Sequence, residues 1–247
     1  MRGRNDSTFL NYFNSKLPKY AGYGPTYHGA YGHRLRSVFG FDQLLRAYSA
    51  LKHNPDSRQV TLQIWNASTD SPDDNGQPVA SDIPCNISCL LKVRKGRLEW
   101  LQVMRSNDVH RGLPYNLVQF TTLHEVLAGW LEVQLGEYHH ISDSLHVYDN
   151  TAEDIRRSKP VQVASNEDNL ALSKDASDMV FTKLEGIVED IISPATCADS
   201  LVHAFGEGLP KPYWNIGLIL SAEGARRRGR RDLAEHALEE CTNPIYV

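Results

Sequence analysis

Residues 87–106 read ISCLLKVR, then Lys95-Gly96, then RLEWLQVMRS. Two runs of strand-forming residues flank a two-residue connection ending in glycine, the pattern of a tight β-hairpin. With Arg94 facing Arg97, paired positions sum to 191, which sets Cys85 opposite Ser106 and beside Arg105. A bulge inside the hairpin would shift that far end by one residue.

Upstream, Val60, Leu62 and Ile64 alternate with Thr61 and Gln63 in RQVTLQIW (58–65), the period of a half-buried strand. Before it, Leu44, Leu45, Tyr48 and Leu51 have helical spacing from Asp42, with a stop at His53-Asn54 ahead of Pro55. Residues 67–83 are polar and contain Pro72, Gly76 and Pro78, so they read as loop. Residues 1–40 are rich in Gly, Tyr, Asn and Pro and read as ordered loop.

Downstream, a helix from about Pro114 to Gln134 carries Leu117, Phe120, Leu123, Leu127, Trp130 and Leu131 on a broad apolar stripe, with Gly136 placed to end it. In the strand HHISDSLHVY (139–148), Leu145 and Val147 point one way and Ser144, His146 and Tyr148 the other, so its polar face suggests a cleft. The stretch from 150 to about Asn169 reads as acidic loop. Helical patterns return in DMVFTKLEGIVEDII and in a last segment holding Ala222, Ala225, Leu233, Ala237 and Leu238. Alternation in 58–65, 87–104 and 139–148 around a buried helix predicts an α/β fold with a mixed sheet.

The chain has 247 residues, 41% hydrophobic and 23% charged, and a formal charge of -4. These values fit a folded globular protein and disfavour a nucleic-acid partner. Four scattered cysteines are too few for a disulfide scaffold, and the first residues carry no apolar leader, so a cytoplasmic location is expected. No stretch reads as a membrane span, because Phe120–Leu135 is interrupted by His124, Glu125 and Glu132.

Cys85 and Cys89 lack zinc-knuckle spacing, and His139, His140, Asp143 and His146 alternate between two faces of a strand, so no metal is expected. A free cysteine is ordinarily a buried small hydrophobe. Cys85 differs by its position after Pro84 at a loop edge, beside a guanidinium that would lower its pKa. The run ARRRGRR (225–231) reads as a solvated helix face that could also meet a single phosphate.

The segments PCN (84–86), RSND (105–108), GLPYN (112–116) and LHVY (145–148), in this order and spacing, resemble the folate-dependent thymidylate synthase family. AYGHRLR (30–36), NPDSR (54–58) and Trp65-Asn66 fall where that family has similar segments. The resemblance runs from about Gly24 to Tyr148 and is poor beyond. It implies a three-layer α/β fold, one domain over 1–247 with a divergent helical part over 151–247, and a homodimer formed through the sheet.

It further implies one-carbon transfer from 5,10-methylenetetrahydrofolate to C5 of a pyrimidine nucleoside monophosphate. Cys85 would add to C6, Tyr31 would help remove the C5 proton, and Arg105 and Ser106 would hold the phosphate with Arg58 from across the dimer. His146 and Tyr148 would bind the sugar hydroxyl, and Asp108 and Gly112 the folate. Asn116 can donate to uracil O4 and accept from N3–H at once, which favours uracil over cytosine.

Asn86 stands where these synthases usually have histidine, Leu90 replaces a usual glutamine and Gln59 replaces a second arginine. RSNDV and SLHVY are closer to the hydroxymethylase branch, in which water replaces the folate hydride. The chain starts after the family's arginine loop and glutamate-bearing helix, and its first Glu is Glu99. Three expectations therefore stand: a methyltransferase, a hydroxymethylase, or a nucleotide-binding relative with weakened catalysis.

Overall fold

In the computed structural model, which describes residues 1–159, 164–203 and 208–246, Lys95 and Gly96 both take left-handed backbone, with φ of 51° and 70°. Two positive φ values in succession make the primed turn whose twist matches the strands of a hairpin. The chain divides into two compact units, Met1–Ser158 and Lys159–Val247.

The first unit runs α1 (Ser7–Phe13), α2 (Pro18–Ala21), α3 (Tyr31–His33), a π-helical turn (Arg34–Val38), α4 (Gln43–His53) and β1 (Thr61–Gln63). It continues through α5 (Ala67–Asp70), β2 (Asn86–Arg94), β3 (Arg97–Asp108), α6 (Gly112–Leu131), β4 (Gln134–His146) and α7 (Asp149–Arg157). The sheet has the order β1-β2-β3-β4; the first two pairings are antiparallel and β3 runs parallel to β4, so it is mixed as expected. A parallel pair needs a crossover, and α6 supplies it. Its Phe120, His124, Leu127 and Trp130 are buried, as are Leu91, Leu98, Trp100 and Met104 of the hairpin.

The expected hairpin register holds from Arg94 opposite Arg97 to Ser88 opposite Val103. A bulge then pairs Asn86 with Met104, and the Arg105 amide donates to the Cys85 carbonyl at 2.9 Å, so Arg105 rather than Ser106 lies opposite the thiol. The helix α4 starts where expected: the Asp42 side chain accepts from the Leu45 amide at 3.0 Å, capping it.

Several elements differ from the sequence expectation. Gly136 does not end α6, which stops at Leu131 with Glu132 in the left-handed region. Gly136 lies instead within β4, where a Cβ would come 2.4 Å from the Leu98 carbonyl oxygen. Its bareness serves a close strand approach beside the register shift between Leu98 and Trp100. β4 begins at Gln134, not 139, because β3 pairs with it from Arg97 onward, and edge strand β1 is confined to Thr61–Gln63.

The supposed loop 1–40 contains α1 to α3 and the π-helical turn, each too short to carry an apolar period. Likewise α5 lies inside 67–83 and is capped by Asn66, which accepts from the Ser68 amide. The helix α7, beyond 148, has no buried residue and is supported by Glu153 pairing with Arg156 and Arg157.

The second unit holds α8 (Lys174–Ile192), α9 (Ala198–His203), α10 (Lys211–Arg227) and α11 (Arg231–Glu239). Leu218, Ala222, Ala225, Ala234, Ala237 and Cys241 form its core with Trp214 and Leu238 packed against it. The basic run proves to be largely internal wiring. Arg226 and Arg227 pair with Glu223, Arg230 pairs with Asp199 and Asp232, and Arg228 donates to the carbonyls of Ile191, Ser193 and Thr196. Among the described residues, no helix is long and apolar enough to cross a membrane.

Candidate active site

The loop entering β2 sets Cys85 at a partly buried position directly across from Arg105. The Arg105 guanidinium does not stand as a free charge beside the sulfur. Its Nε donates to the Pro84 carbonyl at 2.9 Å, its Nη2 to the Ile83 carbonyl at 3.3 Å, and its Cζ lies 5.1 Å from the Trp65 ring centre. The expectation that Arg105 would lower the thiol pKa is corrected: burial pushes it up, Arg105 opposes this without overcoming it, and Asp82 adds to the rise.

Tyr31 faces the same loop. Burial raises its hydroxyl pKa, the charges of Cys85 and Asp82 add to the shift, and hydrogen bonding from the backbone of Cys85 and Asn86 opposes it. Its ring packs 5.8 Å from that of Phe120 in α6. The turn that carries Tyr31 is fixed by buried Arg34, whose Nη1 and Nη2 donate to the Asp70 carboxylate at 2.6 and 2.8 Å. His28 Nε2 reaches the same carboxylate at 2.6 Å.

Asn116, in the second turn of α6, is buried, and its Nδ2 donates to the Asn107 Oδ1 at 3.1 Å. Asn107 in turn donates to Ser142 Oγ and meets His140 Nε2, both at 3.1 Å, while Tyr138 OH lies 3.1 Å from His140 Nδ1. This chain runs across the polar face of β4 and fixes the Asn116 amide. One of its N–H groups is engaged by Asn107, leaving the other N–H and the oxygen to meet a ligand with one acceptor and one donor. A Cβ at Gly112 would come 2.9 Å from the Asn107 Oδ1, so the helix start fits tightly over the network.

Asp108 accepts from the amides of His110, Arg111 and Gly112 at 3.1, 2.9 and 3.4 Å. Burial works against its charge, yet these amides and His146 hold the carboxyl below its ordinary pKa. His146 and Tyr148 stack edge to face with centres 4.9 Å apart, and Asp108 pairs with His146 across the β3–β4 ladder. Ser106 lies on β3 opposite Ser144.

The structure therefore groups Cys85, Arg105 and Tyr31 around one loop. It gathers Asn116, Gly112, Asp108, His146 and Tyr148 around the end of β3 and the start of α6. Arg58 stands exposed before β1, with no contact joining it to either group among the described residues. Sequence reasoning gave no role to Asp82 or Asn107, quoted Trp65 only within a segment of the resemblance, and weighed His140 only as a metal ligand. Asn107 was inside a quoted motif, but its inward direction follows from the irregular end of β3. No group of three His, Cys, Asp or Glu side chains among the described residues is arranged as metal ligands.

A family profile described as thymidylate synthase matches residues 11–188. The chain is 28% identical over an alignment 276 positions long to a deoxyuridylate hydroxymethyltransferase of Bacillus phage SP01, covering 96% of this chain and 71% of that protein. It is 37% identical over 149 residues to a protein of the same name from Pseudomonas phage M6, covering 60% of this chain and 41% of the relative. A thymidylate synthase of Phytoplasma mali (strain AT) is 29% identical over 130 residues, covering 51% of this chain and 42% of the relative.

Proposed function

The chain belongs to the thymidylate synthase family, and on that premise we propose that it transfers a one-carbon unit from 5,10-methylenetetrahydrofolate to C5 of a uracil nucleoside monophosphate through a covalent Cys85–C6 bond. C5 of the ring is a poor nucleophile until a sulfur adds at C6, after which it has enolate character and can attack the one-carbon donor. The observation that carries the uracil assignment is the Asn116 amide held by Asn107. Its remaining N–H suits O4 and its oxygen suits N3–H, whereas cytosine presents a donor where this amide also offers one.

Arg105 and Ser106, with Arg58 from a second subunit, are assigned to the phosphate, and a guanidinium suits such a dianion. Phosphate binding would draw Arg105 away from the Ile83 and Pro84 carbonyls, coupling nucleotide entry to the thiol loop. His146 and Tyr148 are assigned to the sugar, Tyr31 to proton removal at C5, and Asp108 and Gly112 to the folate side. Asp108 acts there chiefly through the helix start that it ties down.

The hydroxymethyl product is favoured over methyl. Support comes from the two relatives named deoxyuridylate hydroxymethyltransferase, one aligned over 96% of the chain, and from Asn86 and Leu90 in place of the synthases' usual residues. Water would then capture the exocyclic methylene of the nucleotide in place of a hydride. Incubation with dUMP and methylenetetrahydrofolate, followed by mass spectrometry, should yield 5-hydroxymethyl-dUMP. A methyl product would restore the synthase reading. With 5-fluoro-dUMP a covalent adduct should accumulate on Cys85, and an adduct on Cys89 would refute the mechanism.

A further inference from the structure

Along the polar face of β4, Tyr138, His140 and Ser142 follow one another at alternate positions, and none of them has a role in the assignments above. His140 and Ser142 meet Asn107, and Asn107 meets Asn116, the residue assigned to the base. Each link in this run has a direction, because an amide nitrogen only donates and an amide oxygen only accepts. The Asn107 Nδ2 lies 3.1 Å from His140 Nε2, so that ring nitrogen accepts and the ring proton is on Nδ1. Nδ1 then donates to the Tyr138 hydroxyl oxygen at 3.1 Å. With its nitrogen turned to His140, Asn107 turns its oxygen to Asn116 and accepts from the Asn116 Nδ2 at 3.1 Å.

Resting on the uracil reading above, we propose that His140 is a positioning residue that sets base specificity. Its unprotonated Nε2 fixes the direction of two successive amides, so that Asn116 offers N–H to O4 and oxygen to N3–H. Turning both amides by half a rotation about their last torsion exchanges nitrogen for oxygen in each. His140 would then donate from Nε2 to the Asn107 oxygen, and Asn107 from Nδ2 to the Asn116 oxygen. Asn116 would present N–H to N3 and its oxygen to the group on C4. That is the complement of cytosine, which has an acceptor at N3 and an amino group on C4. The same two asparagines can therefore read either base, and the histidine tautomer chooses between them.

The hydroxyls around His140 do not choose. Ser142 Oγ lies 3.1 Å from both Asn107 Nδ2 and His140 Nε2, and like the Tyr138 hydroxyl it can donate or accept, so both follow either arrangement. Burial lowers the His140 pKa, which keeps the ring neutral and leaves a lone pair for Asn107. Asn107 and Asn116 are 2% and 8% exposed, so a mismatched link between them is poorly repaired by solvent.

The first test needs neither a variant nor a nucleotide. In the isotope-labelled full chain at neutral pH, ring-nitrogen resonances should show the His140 proton on Nδ1, the tautomer less favoured by free histidine. A proton on Nε2 overturns the proposal. The second test is competition binding of dUMP and dCMP. His140→Gln can turn either end of its amide to Asn107, so the preference for dUMP should fall by about tenfold, the worth of one directed hydrogen bond. Adding Asn107→Asp, whose carboxylate can only accept from Asn116, should restore the preference. A residue that merely supports the fold would weaken both nucleotides alike. An unchanged ratio in His140→Gln, or a folded double variant that fails to restore it, therefore overturns the positioning role. Should His140→Gln not fold, the tautomer of the wild-type protein decides alone. Wild-type protein that binds neither nucleotide, or prefers dCMP, overturns instead the uracil reading on which the proposal rests.

Discussion

Cys85, in the loop entering β2, and Cys89, within that strand, differ in everything around them. Cys89 is fully buried and donates to Gln102 Oε1 at 3.3 Å, while Cys85 is partly exposed beside Arg105 and Asp82. Cys85→Ala should abolish turnover and leave nucleotide binding nearly intact, measured by calorimetry. Cys89→Ala should retain turnover and lose on the order of 1–2 kcal/mol of stability, from a small cavity and one hydrogen bond. At Asn116, substitution by Asp removes the donor for O4 and gives an acceptor for the cytosine amino group. Asn116→Asp should therefore reverse the preference, with the cytidine nucleotide outcompeting the uridine nucleotide in competition binding. Cys85 beside Arg105 was legible from the hairpin register, whereas Asn116 was singled out only by the family resemblance. Asp82 and Asn107 were not legible, because their meaning depends on Gly29 and on His140 and Ser142, which are remote in sequence.

Among the elements, the hairpin and α4 were readable because turn, cap and period agree within a few residues. Gly136 was misread because a glycine after a helix and a glycine under a neighbouring carbonyl look alike in one dimension. Gly136→Ala tests its observed role: a methyl forced against the Leu98 carbonyl should cost roughly 1–3 kcal/mol in chemical denaturation, where a helix terminator would cost less. His124 ties α6 to the sheet, its Nε2 2.6 Å from the Leu98 carbonyl. Burial lowers its pKa below the ordinary value of 6.5, with the Leu98 carbonyl opposing. The folded state therefore binds the proton less readily than the unfolded one, so this contribution is full above about pH 6.5 and is lost as the pH falls below it. Thermal unfolding should show stability declining from pH 7 toward pH 5, and His124→Gln should flatten that decline. An equal decline in the variant would assign it to other groups.

At the scale of the whole molecule, the outer face of the sheet sets apolar side chains beside polar ones such as the Lys92–Glu99 ion pair and His139. Leu90 pairs with Leu101 and Val103 with Ile141, and Leu90 and Ile141 are 42% and 51% exposed. Large apolar side chains left exposed in the middle of a sheet suit an interface. A homodimer through it would also give Arg58 a site to serve, since Arg58 joins neither group of site residues in its own chain. Sedimentation at micromolar concentration should give a dimer, and Ile141→Asp should give a monomer. The sharper test asks whether the two subunits share a site. Arg58→Ala and Cys85→Ala proteins should each be nearly inactive, through phosphate binding and nucleophile respectively. After subunit exchange, each heterodimer carries one site with both lesions and one with neither, so a one-to-one mixture should recover about a quarter of wild-type activity. Introducing Ile141→Asp into both should prevent the recovery. Exchange that is demonstrated by mass without any return of activity would place Arg58 outside the partner's site and leave phosphate binding to Arg105 and Ser106 alone.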